Sequence, residues 1–353
     1  MPTGASLNYG FSPLAFADLR GFAEDDHADA FAVFQRSCVR VIEGRPSLRK
    51  AVAPSPALIE ICRRALAPRS IGRREARQFF ERHFRPFRVT PPHNPAPSGF
   101  FTGYYEPIVN GSLSPSADFA APLLSAPGPL SARFPLPDRA AIEAGAIADG
   151  ARPIVWLRDR VEVFLIQVQG SARVRLEDGR SLRLVYAGRN GWPYTSIGRI
   201  LIDTREIAQD SMSLAALKQW IRAHGQRPGE EGAELMRRNQ SYVFFALAPD
   251  LDAEAGPIGG AGLSLTPLRS LAIDRDIYPY GAPIWVDADI PGALPEGRLR
   301  RLMIAQDTGS AIVGPARADI FFGSGDEAGA RAGAVRHAGE FIVFLPVEEG
   351  SLR

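Results

Sequence analysis

Long hydrophobic runs are missing from this chain. No stretch of the 353 residues reaches the length of a membrane-spanning helix. The opening MPTGASLNYGFSPLAF lacks the basic start and long apolar centre of a secretory signal, which reads as a cytosolic chain or as one whose signal was removed or lost to a late start codon. Lysine is nearly absent: only Lys50 and Lys218 occur, so the cationic residues are almost all arginine. Genome composition explains that bias better than function does. The net charge of +2 does not suggest a nucleic-acid binder. The five histidines (His27, His83, His93, His224, His337) are scattered, with no H-E-x-x-H and no Cys/His cluster, so no metal site is expected. There is no P-loop. Gly323-Ser324-Gly325 with Ala328-Gly329 has glycine spacing but no βαβ context, which argues against a nucleotide or other cofactor. No G-x-S-x-G elbow is present.

Cysteine is scarce too. Cys38 and Cys62 each lie on an apolar-periodic segment. Two readings stay open at this point. One is a pair of buried free thiols. The other is a disulfide joining two N-terminal helices, worth roughly 3 kcal/mol in the chain-entropy model and implying an oxidising compartment.

What is present suits two domains of an ordinary globular protein, with 45% apolar and 23% charged residues. Helical periodicity starts at Asp25-Asp26, with Ala30, Phe31, Phe34, Cys38, Val41 and Ile42 on one face, and recurs over 56–67 and 72–84. A proline-rich passage follows. Residues 99–110 read as an aromatic strand, and 139–144 as a short helix. The spans 172–176 and 181–187 form a hairpin about Glu177-Asp178-Gly179. Helices are expected from Ser196 to Ile207, over 213–224 and over 229–238, then a strand over 242–247. Short β-type runs close the chain at 271–273, 282–286, 302–305, 311–313, 319–322 and 341–345. Their spacing suggests a small β-barrel, and the whole pattern fits a barrel interrupted by an inserted middle domain. The fold class expected is mainly β with N-terminal helices.

Asp307-Thr308-Gly309 matches the pepsin-like signature, but no second D-T-G or D-S-G exists to share a proton with it. What remains is carboxylate chemistry. Asp274, Asp307 and Asp319 each follow or open an apolar strand, and could converge on one face; each could equally cap a turn. Asp319 runs directly into Ile320-Phe321-Phe322, an apolar setting that favours the protonated form and suits a general acid. Phe100, Phe101, Tyr104, Tyr105, Trp192 and Tyr194, beside Thr102, Glu106, Gln169 and Asn190, have the makings of a carbohydrate groove. For Phe100, Phe101 and Trp156 core is the better reading.

At these residues the chain resembles the MltA family of lytic murein transglycosylases. The pieces are Thr102-Gly103-Tyr104-Tyr105-Glu106-Pro107, Gln167-Val168-Gln169-Gly170-Ser171, Gly188-Arg189-Asn190-Gly191, Asn239-Gln240-Ser241-Tyr242, Ser270–Arg275, Ala305-Gln306-Asp307-Thr308-Gly309 and Asp319–Gly325. The resemblance implies a double-psi β-barrel catalytic domain from 1–104 and 240–353, whose 3D region covers about 260–346. An MltA domain, 105–239, is inserted, with a groove along the junction. It implies that Asp319 is the catalytic acid, with Asp307 and Asp274 in support. Thr102, Tyr104, Tyr105, Gln169, Ser171, Asn190, Ser241 and Gln306 are the implied substrate contacts.

The implied reaction cleaves the β-1,4 bond from N-acetylmuramic acid to N-acetylglucosamine and leaves a 1,6-anhydro end. The implied partner is the peptidoglycan glycan strand, with no nucleic acid, nucleotide, metal or cofactor. The sugar's own C6 hydroxyl is the nucleophile, so one carboxyl serves where ordinary glycosidases need two. A murein substrate implies the periplasm with outer-membrane association, and with it the Cys38–Cys62 disulfide. Family members commonly carry a lipid on a cysteine near the mature N-terminus. Here the first cysteine is Cys38, inside a helix, which does not support such an anchor. The alternatives are a non-catalytic glycan-binding double-psi barrel and a hydrolase on the same scaffold.

Overall fold

A computed structural model describes residues 9–90, 99–128, 135–248 and 255–347. The chain divides into two compact units. Unit 1 comprises Met1–Tyr104, Ile258–Gly323 and Arg331–Arg353; unit 2 comprises Tyr105–Pro257 and Ser324–Ala330.

In chain order the first elements are β1 (Gly10–Pro13), α1 (His27–Glu43), α2 (Pro56–Ala65), α3 (Arg73–His83), β2 (Phe84–Thr90) and β3 (Gly99–Glu106). The middle carries β4 (Ile108–Ser112), β5 (Ala121–Leu124), α4 (Arg139–Glu143), β6 (Pro153–Leu157), α5 (Arg160–Gln169), β7 (Ser171–Leu176) and β8 (Ser181–Arg189). It continues with α6 (Ile197–Asp203), α7 (Leu214–Ala223), α8 (Glu231–Arg237) and β9 (Val243–Leu247). The last part is β10 (Ser270–Ile273), β11 (Pro283–Asp289), β12 (Arg298–Asp307), β13 (Arg317–Ser324), α9 (Gly325–Gly333) and β14 (Arg336–Pro346).

Unit 1 is built on an eight-stranded sheet of order β1-β2-β14-β11-β12-β10-β13-β3, and β14 pairs with β3 as well. From β14 the ladder therefore passes through β11, β12, β10 and β13 to β3 and returns to β14. Most pairings with a defined register are antiparallel, but β10 runs parallel to β12. The helices of unit 1 form because their caps and apolar faces agree. The Asp26 carboxylate accepts from the Ala28 and Asp29 N–H groups, and Ser55 caps α2 just ahead of Pro56. Phe31, Phe34, Cys38, Phe80 and Phe84 are buried against Trp285, Leu302 and Ile304 of the sheet. Ile42, expected on the same apolar face of α1, lies in its last turn and is 38% exposed. Cys38 and Cys62 form a disulfide between α1 and α2.

Arg269 immediately precedes β10 and is 1% exposed. It forms a bidentate pair with Asp25, meets Asp29 at 2.7 Å, and donates to the Leu302 and Asp26 carbonyls. Asp25 in turn accepts the Leu302 N–H. One cation thus ties the start of α1 to the strand that leads to Asp307.

Unit 2 holds a six-stranded sheet, β5-β6-β4-β7-β8-β9, covered by α5 and the smaller helices. The expected hairpin is β7–β8. The apolar stretch from Trp156 onward is broken by Asp159, whose carboxylate caps α5 at the Glu162 N–H. Glu106, 1% exposed, accepts from Arg173 at 2.7 Å and from Ser324 at 2.6 Å, and Arg173 also donates to the Ala255 carbonyl. Glu106, Ala255 and Ser324 each lie within two residues of a point where the chain passes between units.

Two expectations are corrected. The molecule is mixed α/β with two sheets rather than mainly β with N-terminal helices, because five helices, α4–α8, populate the middle of the chain. Residues 311–313 are not a strand. They lie in the loop between β12 and β13, with Ile312 turned inward and Val313 70% exposed.

Candidate active site

β3 and β13 are neighbours in the sheet. Side chains alternate along a strand, so Phe100, Thr102 and Tyr104 share one face of β3, and Arg317, Asp319 and Phe321 one face of β13. These two triplets meet. Arg317 lies over the Phe100 ring, 5.3 Å from its centre. Thr102 Oγ1 donates to Asp319 Oδ1 at 2.7 Å, and Arg317 Nη2 donates to the same hydroxyl at 2.7 Å. The Tyr104 and Phe321 rings lie 5.3 Å apart. Phe100 is 45% exposed and Phe321 fully buried, so the face grades from solvent to core with Asp319 between. On the opposite face of β3, Gly103 lets the Ala332 backbone approach, since a Cβ there would come within 2.7 Å of it.

Burial pushes the Asp319 carboxyl up to about 6; Arg317 and the Thr102 hydroxyl pull it down, and Asp307 adds to the rise. A carboxyl tuned to that range can hold a proton near neutral pH and release it.

Asp307 ends β12, and its carboxylate is fully engaged. Oδ1 accepts the Gly260 N–H at 2.7 Å and the Thr308 N–H at 2.8 Å, and Oδ2 accepts the Tyr104 hydroxyl at 2.9 Å. Burial, with Asp307 beside it, holds the Tyr104 hydroxyl well above its ordinary range, so it stays a donor. Ala272 of β10 pairs with Asp307 on one side and Asp319 on the other. The two aspartates are therefore two strands apart, roughly 10 Å. Asp274 lies two residues beyond Ala272 and accepts the Asp276 and Gly314 N–H groups, so it fixes the loop running from Asp307 to β13.

The other expected residues divide clearly. Tyr105, Gln169, Ser171, Asn190 and Ser241 belong to unit 2. The Tyr105 N–H donates to Gln169 Oε1 at 3.0 Å, and its ring lies on Gly329, where a Cβ would come within 2.8 Å. Burial pushes the Tyr105 hydroxyl up to about 12, with Asp326 adding to the rise. Ser171 opens β7 and is buried. Gln306 and Asn190 are corrected to core residues, both with no exposed surface. The Gln306 amide is taken up by Ser270, Ser37 and the Val33 carbonyl. The Asn190 amide is taken up by the Pro137 and Gln240 carbonyls and the Tyr242 N–H. Ser241 is also buried, and its carbonyl accepts from Arg139. Phe101 and Phe100 split: Phe101 is core, whereas Phe100 is exposed because strand alternation turns it to the Arg317 side. Arg317 was missed in the sequence, although its place two residues before Asp319 on a strand marks it as facing the same way. Among the described residues no group of three or more His, Cys, Asp and Glu side chains could hold a metal.

Comparison with known proteins bears on this face directly. Residues 100–246 match the MltA specific insert domain and 269–345 match the 3D domain. Membrane-bound lytic murein transglycosylase A of Escherichia coli K12 is 37% identical over 253 residues, spanning 69% of this chain and 65% of that protein. The crystal structure of membrane-bound lytic murein transglycosylase from Agrobacterium tumefaciens superposes with a TM-score of 0.83 at 33% identity, covering 96% of this chain and 98% of that one. The chain belongs to the MltA family. A further MltA structure, the Escherichia coli protein with bound chitohexaose, gives a TM-score of 0.67 at 27% identity, covering 96% of this chain and 92% of that one. Thr102 falls inside the insert match and Asp319 inside the 3D match.

Proposed function

We propose that this chain is a lytic transglycosylase. It cleaves the β-1,4 bond from N-acetylmuramic acid to N-acetylglucosamine in peptidoglycan and leaves a 1,6-anhydro-N-acetylmuramic acid end. The observation that carries the reading is Asp319, a half-buried carboxyl pushed up to about 6 whose Oδ1 accepts the Thr102 hydroxyl. Family membership supplies the substrate class. Relatives are named lytic murein transglycosylases, and one was solved with an oligosaccharide bound.

Protonated Asp319 gives its proton to the departing glycosidic oxygen. The carboxylate so formed takes the proton of the C6 hydroxyl as that oxygen closes on C1. The proton count balances, no water is consumed, and a second carboxylate has no task. Asp307, saturated by three donors, is cast as a support that holds the β12 end and lifts Asp319 by its charge. Asp274 supports the loop. Tyr105, Gln169 and Ser171 are kept as the insert's candidates for sugar contacts. The returning ladder of unit 1, with parallel β10 and β12, is read as a double-psi β-barrel formed by both ends of the chain around the inserted domain. A peptidoglycan substrate and membrane-bound relatives support a periplasmic location with outer-membrane association.

The test is digestion of purified sacculi followed by mass spectrometry. Anhydro ends, lighter by one water than hydrolysed ends, are expected from wild type and none from Asp319→Asn. Binding without release would identify a glycan-binding protein instead, and hydrated ends a hydrolase.

A further inference from the structure

Thr102 stands between two partners of opposite charge. Arg317 Nη2 donates to its hydroxyl at 2.7 Å, and the hydroxyl donates to Asp319 Oδ1 at 2.7 Å. A guanidinium has donors and no lone pair, and a threonine hydroxyl has a single proton. Arg317 therefore occupies the lone-pair side of Oγ1 and leaves its proton one direction, toward Asp319. Arg317 is itself held in place, since Nη1 donates to the Ala318 carbonyl and the guanidinium lies over Phe100. A protonated carboxyl carries its proton on one oxygen and accepts on the other. Asp319 Oδ1 is already an acceptor.

We propose that Arg317 is a positioning residue for the acid: it fixes the Thr102 proton on Asp319 Oδ1, so that Oδ2 carries the proton that is transferred. This rests on the reading of Asp319 as the acid. It makes Thr102 part of a relay from Arg317 rather than a contact to sugar. The other groups that act on the carboxyl are Asp307 at the end of β12, which holds the Tyr104 hydroxyl, and the backbone N–H of Ile320, which favours the carboxylate form. The Arg317 charge also favours the carboxylate form of Asp319, against the burial that opposes it.

The experiment compares full-length wild type with Arg317→Gln, Arg317→Lys, Thr102→Val, Thr102→Ser and the Arg317→Gln/Thr102→Val double variant. Release of anhydro-muropeptides from sacculi is followed as a function of pH, and Asp319 is titrated by its side-chain carboxyl 13C resonance. Arg317→Gln should slow release about tenfold through misplacement of the acid. It should also move the basic limb and the 13C midpoint upward. Arg317→Lys and Thr102→Ser should retain most of the rate. Thr102→Val should fall about as far as Arg317→Gln, and the double variant no further, because the two act through one proton. A wild-type profile in Arg317→Gln, or additive losses in the double variant, would overturn the proposal. If wild type releases no anhydro ends, the reading of function fails instead. The 13C midpoint then decides for Arg317, and no shift in Arg317→Gln overturns its role.

Discussion

Thr102 and Tyr104, two residues apart on β3, each hold a different carboxylate: Thr102 donates to Asp319 and Tyr104 to Asp307. Strand alternation places both on one face. The two carboxylates end in unlike states because the two donors meet them in unlike company. Asp307 gains two backbone N–H groups besides, whereas Asp319 gains apolar neighbours and an arginine acting through the threonine. One strand thus sorts two aspartates that look alike in the sequence.

The raised Asp319 carboxyl predicts a stability signature. Its folded value of about 6 lies above its ordinary 3.8. Below the ordinary value both folded and unfolded chains hold the proton, and no penalty exists. Above about 6 the folded chain carries a desolvated carboxylate, and the penalty is complete. Asp319→Asn should therefore be more stable than wild type at pH 7.5 by about 1–2 kcal/mol, allowing for the solvent that reaches the group. The gain should vanish as the pH falls toward 4. Thermal melts of both proteins across that range check it, and a gain that grows on acidification would contradict the burial of the carboxyl.

The Arg269–Asp25 pair predicts a large loss on truncation. Both side chains are buried, and Arg269 satisfies two backbone carbonyls besides its carboxylates. Arg269→Ala would leave buried Asp25 without its opposite charge and those carbonyls without this donor, at a cost of about 3–5 kcal/mol. Urea denaturation should show the midpoint falling by that equivalent. A change below 1 kcal/mol would mean that water replaces the arginine readily.

How far the sequence carried this reading depended on the range of the forces involved. The helices near 27–43, 56–65 and 73–83 and the β7–β8 hairpin were legible, because caps, periodicity and turn residues are local signals. The helices of the middle segment were legible one by one, but their weight in the fold class was not. Asp319 stood out through its own Ile-Phe-Phe neighbours. Gln306 did not betray that its partners are Ser37 and Val33, about 270 positions away. Asn190 looked like a sugar-binding amide and is an internal brace for the Gln240–Tyr242 backbone. An amide's role depends on which backbone groups the fold brings to it, and composition does not encode that. Arg317 was visible only once β13 was known to lie beside β3.

The Cys38–Cys62 bond predicts redox-dependent stability. It closes a sequence separation of 24 residues between α1 and α2. The chain-entropy model gives roughly 3 kcal/mol for a loop of that size. Cys38→Ala/Cys62→Ala, or wild type with reductant, should melt at lower temperature than the oxidised protein. Both sulfurs are buried, so reduction under native conditions should be slow and should accelerate in mild denaturant. Equal melting of oxidised and reduced protein would show that α1 and α2 are held by their aromatic core alone.

Tyr104→Phe separates support from chemistry at the second carboxylate. The substitution removes the donor to Asp307 Oδ2 and leaves the Gly260 and Thr308 N–H groups on Oδ1. The lost bond to a charged acceptor should cost about 1.5–3 kcal/mol. Because the Tyr104 hydroxyl is held well above its ordinary range, it remains protonated and donating through neutral and mildly alkaline pH. The loss should therefore be flat between about pH 5 and 9, unlike the sloping difference expected for Asp319→Asn. Paired melts of the two variants distinguish the two roles. If the Tyr104→Phe difference tracked pH with a midpoint near 6, the Tyr104 hydrogen bond would be coupled to the Asp319 proton, and the separation of support from chemistry would fail.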